Sequence, residues 1–175
     1  RLTLPRHRAV VRCSPGFATV RPVTILLARH AHAGRRSEWR DDDRLRPISE
    51  RGLRQSIGIR DHLAEHAIGR IVSSPYLRCV QTVEPLAEML GLEIEIRDEL
   101  AEGSDLDATY ELLRSLDAVD GLACSHGDMI PPLLERLVDD GMDTDGPLID
   151  QKGSIWVVEC REQRPWFGRY LPPFA

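Results

Sequence analysis

Lysine is almost missing from this chain: of its 23 basic residues only Lys152 is a lysine, and every other one is an arginine. Aromatic residues are also scarce, at 5%. Trp39, Trp156 and Trp166 follow no regular spacing, which excludes a base-stacking platform for nucleic acid. A net charge of −5 argues against a nucleic-acid polymer as partner as well. No apolar run approaches the ~18 residues of a membrane span, so no membrane partner is expected. The four cysteines, Cys13, Cys79, Cys124 and Cys160, lie far apart without a C-x-x-C pair, which speaks against a zinc cluster or a thioredoxin-type centre. Cys124 and Cys160 sit in apolar runs, where a free thiol acts as a small hydrophobe; a reducing, cytoplasmic location is the expectation. Acids are absent from the first stretch of chain, where Glu38 is the earliest.

What is present fits one domain. The chain has 175 residues, 42% hydrophobic and 29% charged, enough to bury a core without staples. Residues 1–21 carry five arginines and no acid, and Arg12, Ser14, Pro15 and Gly16 interrupt any signal-like apolar segment. They read as an N-terminal extension or a junction to a preceding domain, and their composition also fits an organelle transit peptide. Residues 22–175 form the domain proper. No internal repeat is visible.

From Pro22 onward short apolar runs alternate with helical periodicities. Residues 23–28 read as a buried strand, Ile71-Val72 as a second, 122–125 as a third and 155–160 as a last one, with 92–97 alternating as an exposed or edge strand. Helices are expected from Ser49 with Ser56, Ile59, Leu63 and Ala67 on one face, from Ser74-Pro75 to Gly91, over 105–116, and after Gly127. Such alternation implies a three-layer α/β fold: a mainly parallel central sheet with helices on both faces.

In such sheets the working crevice lies at the carboxyl ends of the strands. One strand ends in Arg29-His30, another in Ser73-Ser74-Pro75 shortly before Arg78, and a third in Ser125-His126-Gly127. Two guanidinium groups, two imidazoles and exposed helix N-termini gathered there favour an anion, and guanidinium forks match phosphate bidentately. A neutral imidazole in that field is a nucleophile.

Leu27-Ala-Arg-His-Ala-His-Ala-Gly34, Ser73-Ser-Pro-Tyr-Leu-Arg-Cys-Val-Gln-Thr82 and Cys124-Ser-His-Gly127 resemble the three signature blocks of the histidine phosphatase (phosphoglycerate-mutase-like) superfamily. The likeness runs from about residue 22 to the end, through Lys152-Gly-Ser-Ile-Trp and Arg169-Tyr-Leu-Pro-Pro, and is strongest to the compact SixA-type phosphohistidine phosphatases. It implies a phosphoglycerate-mutase-like fold without a large lid insertion, and a phosphatase needing no metal or organic cofactor. By that resemblance His30 is the nucleophile, and Arg29, Arg78 and His126 are catalytic and bind phosphate. Glu102, in Leu100-Ala-Glu102, is the candidate general acid, with nearby Glu99 an alternative. Ala31 and Ala33 replace the family's glycine and threonine, and His32 reads as an exposed loop residue or a substrate contact.

The favoured substrate is phosphohistidine on a protein, which an open pocket suits. A nucleotide or other small phosphomonoester is the alternative, since similar domains follow Nudix domains in some nucleotide-cleaning proteins and residues 1–21 fit such a junction. Two other classes compete. A phosphate-binding module without turnover would use the same pocket. His62-Leu-Ala-Glu65-His66 spells the inverted zincin motif of a metalloprotease, although no further carboxylate ligand is identifiable. Asp41-Asp42-Asp43 is a candidate magnesium site, with surface pairing to Arg40 and Arg44 as the plainer expectation.

Overall fold

The computed structural model describes residues 23–116, 119–162 and 164–174; the expected extension at 1–21 lies outside them. The first strand, β1 (Val23–Arg29), is apolar and short, and its alternate residues face opposite ways. Ile25 and Leu27 enter one core cluster, while Leu26 and Ala28 enter the other. That division makes the fold a three-layer sandwich, with each fully buried leucine contributing roughly 1.5–3 kcal/mol.

One face of the sheet is covered by α1 (Glu50–Leu63) and α2 (Leu77–Leu90), which bring Ile59, Leu63, Val83 and Leu86 to the core. The other is covered by α3 (Leu106–Arg114) and α4 (Ile130–Asp139), which bring Leu113, Leu133, Leu134 and Leu137. The remaining strands are β2 (Arg70–Ser73), β3 (Ile94–Ile96), β4 (Gly121–Ser125), β5 (Asp143–Thr144), β6 (Ile155–Arg161) and β7 (Arg164–Leu171). Their order across the sheet is β3-β2-β4-β1-β6-β7-β5. From β3 to β1 all pairings are parallel, and β3 is the expected edge strand. Beyond β1 the sheet turns antiparallel through β6 and β7, a half that the alternating pattern did not foretell beyond residues 155–160. Among the described residues no helix is long and apolar enough to cross a membrane.

The helix boundaries correct two expectations. The first helix stops at Leu63, so Ala67 lies beyond it rather than on its inward face. The second begins at Leu77 instead of at Pro75, and Tyr76 caps it without a side-chain hydrogen bond. Ser74, the expected cap, directs its hydroxyl to His126 at 2.7 Å. Elsewhere local chemistry prevails as read: Ser49 caps α1 by accepting from the Gly52 amide, and Gly91 ends α2 in the left-handed region.

A proline inside α2 is tolerated for a visible reason. Pro85 has no N–H to give to the Gln81 carbonyl one turn earlier. The Ser56 hydroxyl of α1 reaches it instead at 3.0 Å, sharing its one proton between the Gln81 and Thr82 carbonyls. The same helix is tied to the end of β1 through Thr82, whose Oγ1 accepts from the Ala31 amide at 2.8 Å and donates to the Arg78 carbonyl at 2.6 Å.

Candidate active site

The carboxyl ends of β1, β2 and β4 and the amino end of antiparallel β6 meet at one edge of the sheet. His30 follows β1, and its amide donates to the Ser125 carbonyl at the end of β4. The Arg29 amide donates to the Ser154 carbonyl, and the Gly153 amide to the carbonyls of Arg29 and His30. Two later segments, at Ser125 and at Gly153-Ser154, therefore clasp the two peptide units that carry Arg29 and His30.

The His30 ring is nearly enclosed, at 4% exposure. Its Nδ1 lies 2.8 Å from the carbonyl oxygen of Ala31. A carbonyl only accepts, so Nδ1 carries the ring proton and Nε2 keeps its lone pair. Burial lowers the pKa to about 3; the Ala31 hydrogen bond opposes that shift, and the cations of Arg78, Arg29 and Lys152 reinforce it. The imidazole is thus neutral around pH 7.

His126 stands beside it, the two ring centres 5.3 Å apart in an edge-on arrangement. Burial lowers its pKa to about 2, helped by His30 and Arg78. Its Nε2 faces the Ser74 hydroxyl at 2.7 Å, and its Nδ1 lies 3.4 Å from Glu102 Oε1. When Ser74 donates to Nε2, the ring proton sits on Nδ1 and faces Glu102, with the Arg78 Nη2 donor equally near at 3.4 Å.

Arg78 lies in the first turn of α2 and is fully buried. Its Nη1 donates to the Asp43 carbonyl at 2.8 Å, and its Nη2 to Glu102 Oε1 at 2.6 Å. Arg36, on a 3-10 turn over Arg36–Glu38, bridges Asp43 and Glu102 at 3.0 and 3.1 Å. Arg29 is held by Asp150, through its carbonyl at 2.8 Å and its carboxylate at 3.1 Å. Its guanidinium lies over Gly127, where a Cβ would stand 2.4 Å from Nη2. Nε of Arg29 and Nε of Arg78 are buried with no hydrogen-bond partner among the described residues.

His30, Arg29, Arg78, His126 and Glu102 are therefore brought together, whereas Glu99 is not: it pairs with Arg97 at 2.6 Å. Against Arg29, His30 and Glu102 opens a crevice of about 340 Å³, lined also by Arg36, Arg46, Gly127, Asp128 and Lys152, with Arg78 and His126 buried behind its wall. Several of these were not singled out beforehand. Arg46 is 6% exposed and donates to the Ala33 carbonyl and to Asp43. Lys152 arrives just before β6, which could be placed only by knowing that β6 runs antiparallel to β1. The signals available were its being the chain's sole lysine and its place in the Lys152-Gly-Ser-Ile-Trp stretch of the family resemblance.

Three expectations change. His32 is a half-buried loop residue rather than an exposed one: its Nδ1 bonds the Ser49 hydroxyl at 2.7 Å and its amide donates to Gln55, fixing the start of α1. Asp43 pairs with Arg36, Arg46 and Arg78 rather than with Arg40 and Arg44. Burial disfavours its charge, but the hydrogen bond from Arg46 and the nearby arginines hold its carboxyl below the usual range. The zincin-like motif is broken by the end of α1 at Leu63, which leaves His66 off the helix, and His62 packs on Phe174 with ring centres 4.6 Å apart. Among the described residues no group of three or more His, Cys, Asp or Glu side chains could hold a metal ion.

Residues 25–105 match the histidine phosphatase superfamily (branch 1). The chain is 32% identical over 161 residues to an 8-oxo-(d)GTP phosphatase of Mycolicibacterium smegmatis, covering 87% of this chain and 50% of that protein. It thus spans about half the length of that curated relative. Among solved structures, a Nakamurella multipartitia protein assigned as a SixA phosphohistidine phosphatase superposes with a TM-score of 0.69 at 22% identity, over 88% of this chain and 98% of that one. A protein histidine phosphatase SixA bound to tungstate gives 0.66 at 23% identity, over 87% and 97%. A mycobacterial glucosyl-3-phosphoglycerate phosphatase gives 0.63 at 15% identity, over 89% and 100%. With its three signature blocks meeting at one crevice and its fold that of the compact, phosphoglycerate-mutase-like SixA structures, the chain belongs to the histidine phosphatase superfamily.

Proposed function

We propose that this domain is a phosphatase that works through a covalent phosphohistidine on His30. One observation carries the reading: the Ala31 carbonyl holds the proton on Nδ1 at 2.8 Å, leaving Nε2 as the nucleophile beside Arg29, Arg78 and His126. In the first step Nε2 attacks phosphorus, the bond to the leaving oxygen breaks, and its electron pair departs with that oxygen. In the second, water attacks the same phosphorus, the P–N electrons return to Nε2, one water proton passes to Glu102 or to solvent, and orthophosphate leaves. Arg29, Arg78 and His126 Nδ1–H hold the three equatorial oxygens as charge spreads over them, the electrostatic contribution that usually dominates such transfers. When phosphate takes over Arg78, Glu102 is released to protonate the leaving oxygen of an ester. This chemistry calls for no metal and no organic cofactor.

For the substrate, the surplus of cations beyond Arg29 and Arg78 favours a nucleotide or a similarly charged small phosphate. The relationship to the 8-oxo-(d)GTP phosphatase supports that reading. Phosphohistidine on a protein is the second reading, supported by the open crevice and by the likeness to SixA folds. The test is to trap the phosphoenzyme from a labelled panel containing nucleotides, aryl phosphates and a phosphohistidine peptide. Label that is acid-labile, base-stable and absent from His30→Ala supports the mechanism, and wild-type turnover in His30→Ala overturns it.

A further inference from the structure

The crevice around His30 continues past Lys152 into a second hollow of about 410 Å³, lined by Arg29, His32, Arg51, Gln55, Asp150, Gln151, Lys152 and Pro173. Arg29 and Lys152 line both hollows and form the boundary between them. Most cations at this edge already have carboxylate partners: Arg29 has Asp150, Arg36 has Glu102 and Asp43, Arg46 has Asp43, and Arg78 has both Asp43 and Glu102. Lys152 differs. Its ammonium has neither an ion pair nor a hydrogen bond among the described residues, although it stands within the field of Arg29, Arg46 and Arg78. Burial, followed by those three charges, lowers its pKa. A half-buried cation held among like charges is an arrangement that an added anion relieves.

In the mechanism above the transferred phosphoryl group is held by Arg29, Arg78 and His126, which leaves Lys152 unassigned where the crevice meets the second hollow. We infer that Lys152 binds the phosphate next to the one being transferred, so that the preferred substrate is a phosphoanhydride, such as the terminal phosphate of a nucleoside triphosphate or of a short polyphosphate. This rests on the phosphatase reading and narrows its substrate class. In the reaction His30 Nε2 takes the terminal phosphoryl group, the P–O bond to the bridging oxygen breaks, and the electron pair stays on the departing phosphate chain. That chain leaves as an anion without taking up a proton. Lys152 stabilises the charge appearing on the bridging oxygen, and the rest of the leaving group lies in the hollow beside Arg51.

The test compares binding of inorganic tripolyphosphate and orthophosphate at one ionic strength, by calorimetry, for the wild type, Lys152→Ala and Lys152→Met. Wild type is expected to bind tripolyphosphate about tenfold or more tighter than orthophosphate, with most of that preference lost in both variants, since a charge-assisted contact accounts for a factor of that order. The preference should survive in Arg114→Ala, on a distant face of the domain. No preference in wild type, or equal loss for both anions in the Lys152 variants, overturns the proposal. Because binding needs no turnover, a preference that depends on Lys152 in a protein that forms no phosphoenzyme would leave this subsite standing and remove the phosphatase reading. Phosphoenzyme formation from an aryl phosphate without the preference would do the reverse.

Discussion

One oxygen of Glu102, Oε1, contacts both Arg78 Nη2 at 2.6 Å and His126 Nδ1 at 3.4 Å, the two donors to which the mechanism assigns phosphoryl oxygens. The carboxylate therefore occupies an acceptor position that the substrate must take. Glu102→Ala should strengthen inhibition by orthophosphate severalfold while slowing cleavage of an aryl phosphate, because the competitor and the acid are the same group. The slowing should be smaller for a phosphohistidine peptide, whose imidazole leaving group depends less on an acid. Equal losses on both substrate types, with unchanged phosphate inhibition, would count against this dual role.

Arg78 neutralises Asp43 and Glu102 from a fully buried position. Arg78→Ala still leaves Asp43 with Arg36 and Arg46, and Glu102 with Arg36, so the cost should stay below the ~3–5 kcal/mol of a buried charge left wholly unpaired. A moderate drop in the urea midpoint is expected together with loss of phosphate binding. Arg78→Lys should recover part of the stability but little of the binding, because an ammonium lacks the planar fork.

Gly127 gives a cleaner perturbation. A methyl group there would meet the Arg29 guanidinium at 2.4–2.5 Å, at the far end of a side chain that can move aside. Gly127→Ala should fold with a melting temperature within a few degrees of wild type yet lose roughly tenfold or more in kcat/KM, an estimate from the sensitivity of such sites to small misplacement. Unchanged kinetics in Gly127→Ala would show that the position of Arg29 does not matter.

The two imidazoles predict a pH dependence of stability. Their folded values of about 3 and about 2 lie below the 6.5 of an unfolded histidine. Between those limits the unfolded chain binds protons that the folded chain refuses. Stability is therefore intact above pH 6.5 and falls as the pH drops below it, by up to about 1.4 kcal/mol per pH unit for each ring. Urea midpoints measured from pH 8 to pH 5 should decline in this sense, less steeply for His126→Asn. A flat profile would contradict the neutral, buried state of both rings.

Much of this arrangement was readable in the sequence because it is local. The buried strands announce themselves as short apolar runs, and Arg29, His30, Arg78 and His126 lie at or just after strand ends, where topology alone brings them together. What escaped depends on partners far along the chain. β7 contains Pro165 and Gly168 and little clean alternation, so its pairing with β6 had no local signature. Arg46 and Asp43 acquire their roles from the fold of an arginine-rich loop, read beforehand as charged surface with a candidate magnesium site at Asp41-Asp42-Asp43. Ser74 looked like a helix cap because serine before proline usually is one; its hydroxyl accepts from the Tyr76 amide at 3.4 Å and also meets a buried imidazole at 2.7 Å, a partner that no local pattern announced.

The clasp on Arg29 and His30 also has a consequence for synthesis. The peptide units bearing these side chains are pinned by Gly153 and Ser154, which a ribosome makes long after the first strand has emerged. A nascent chain that already holds all three signature blocks still lacks the strap that orients His30, so the site should assemble only after β6 and β7 have been made and docked.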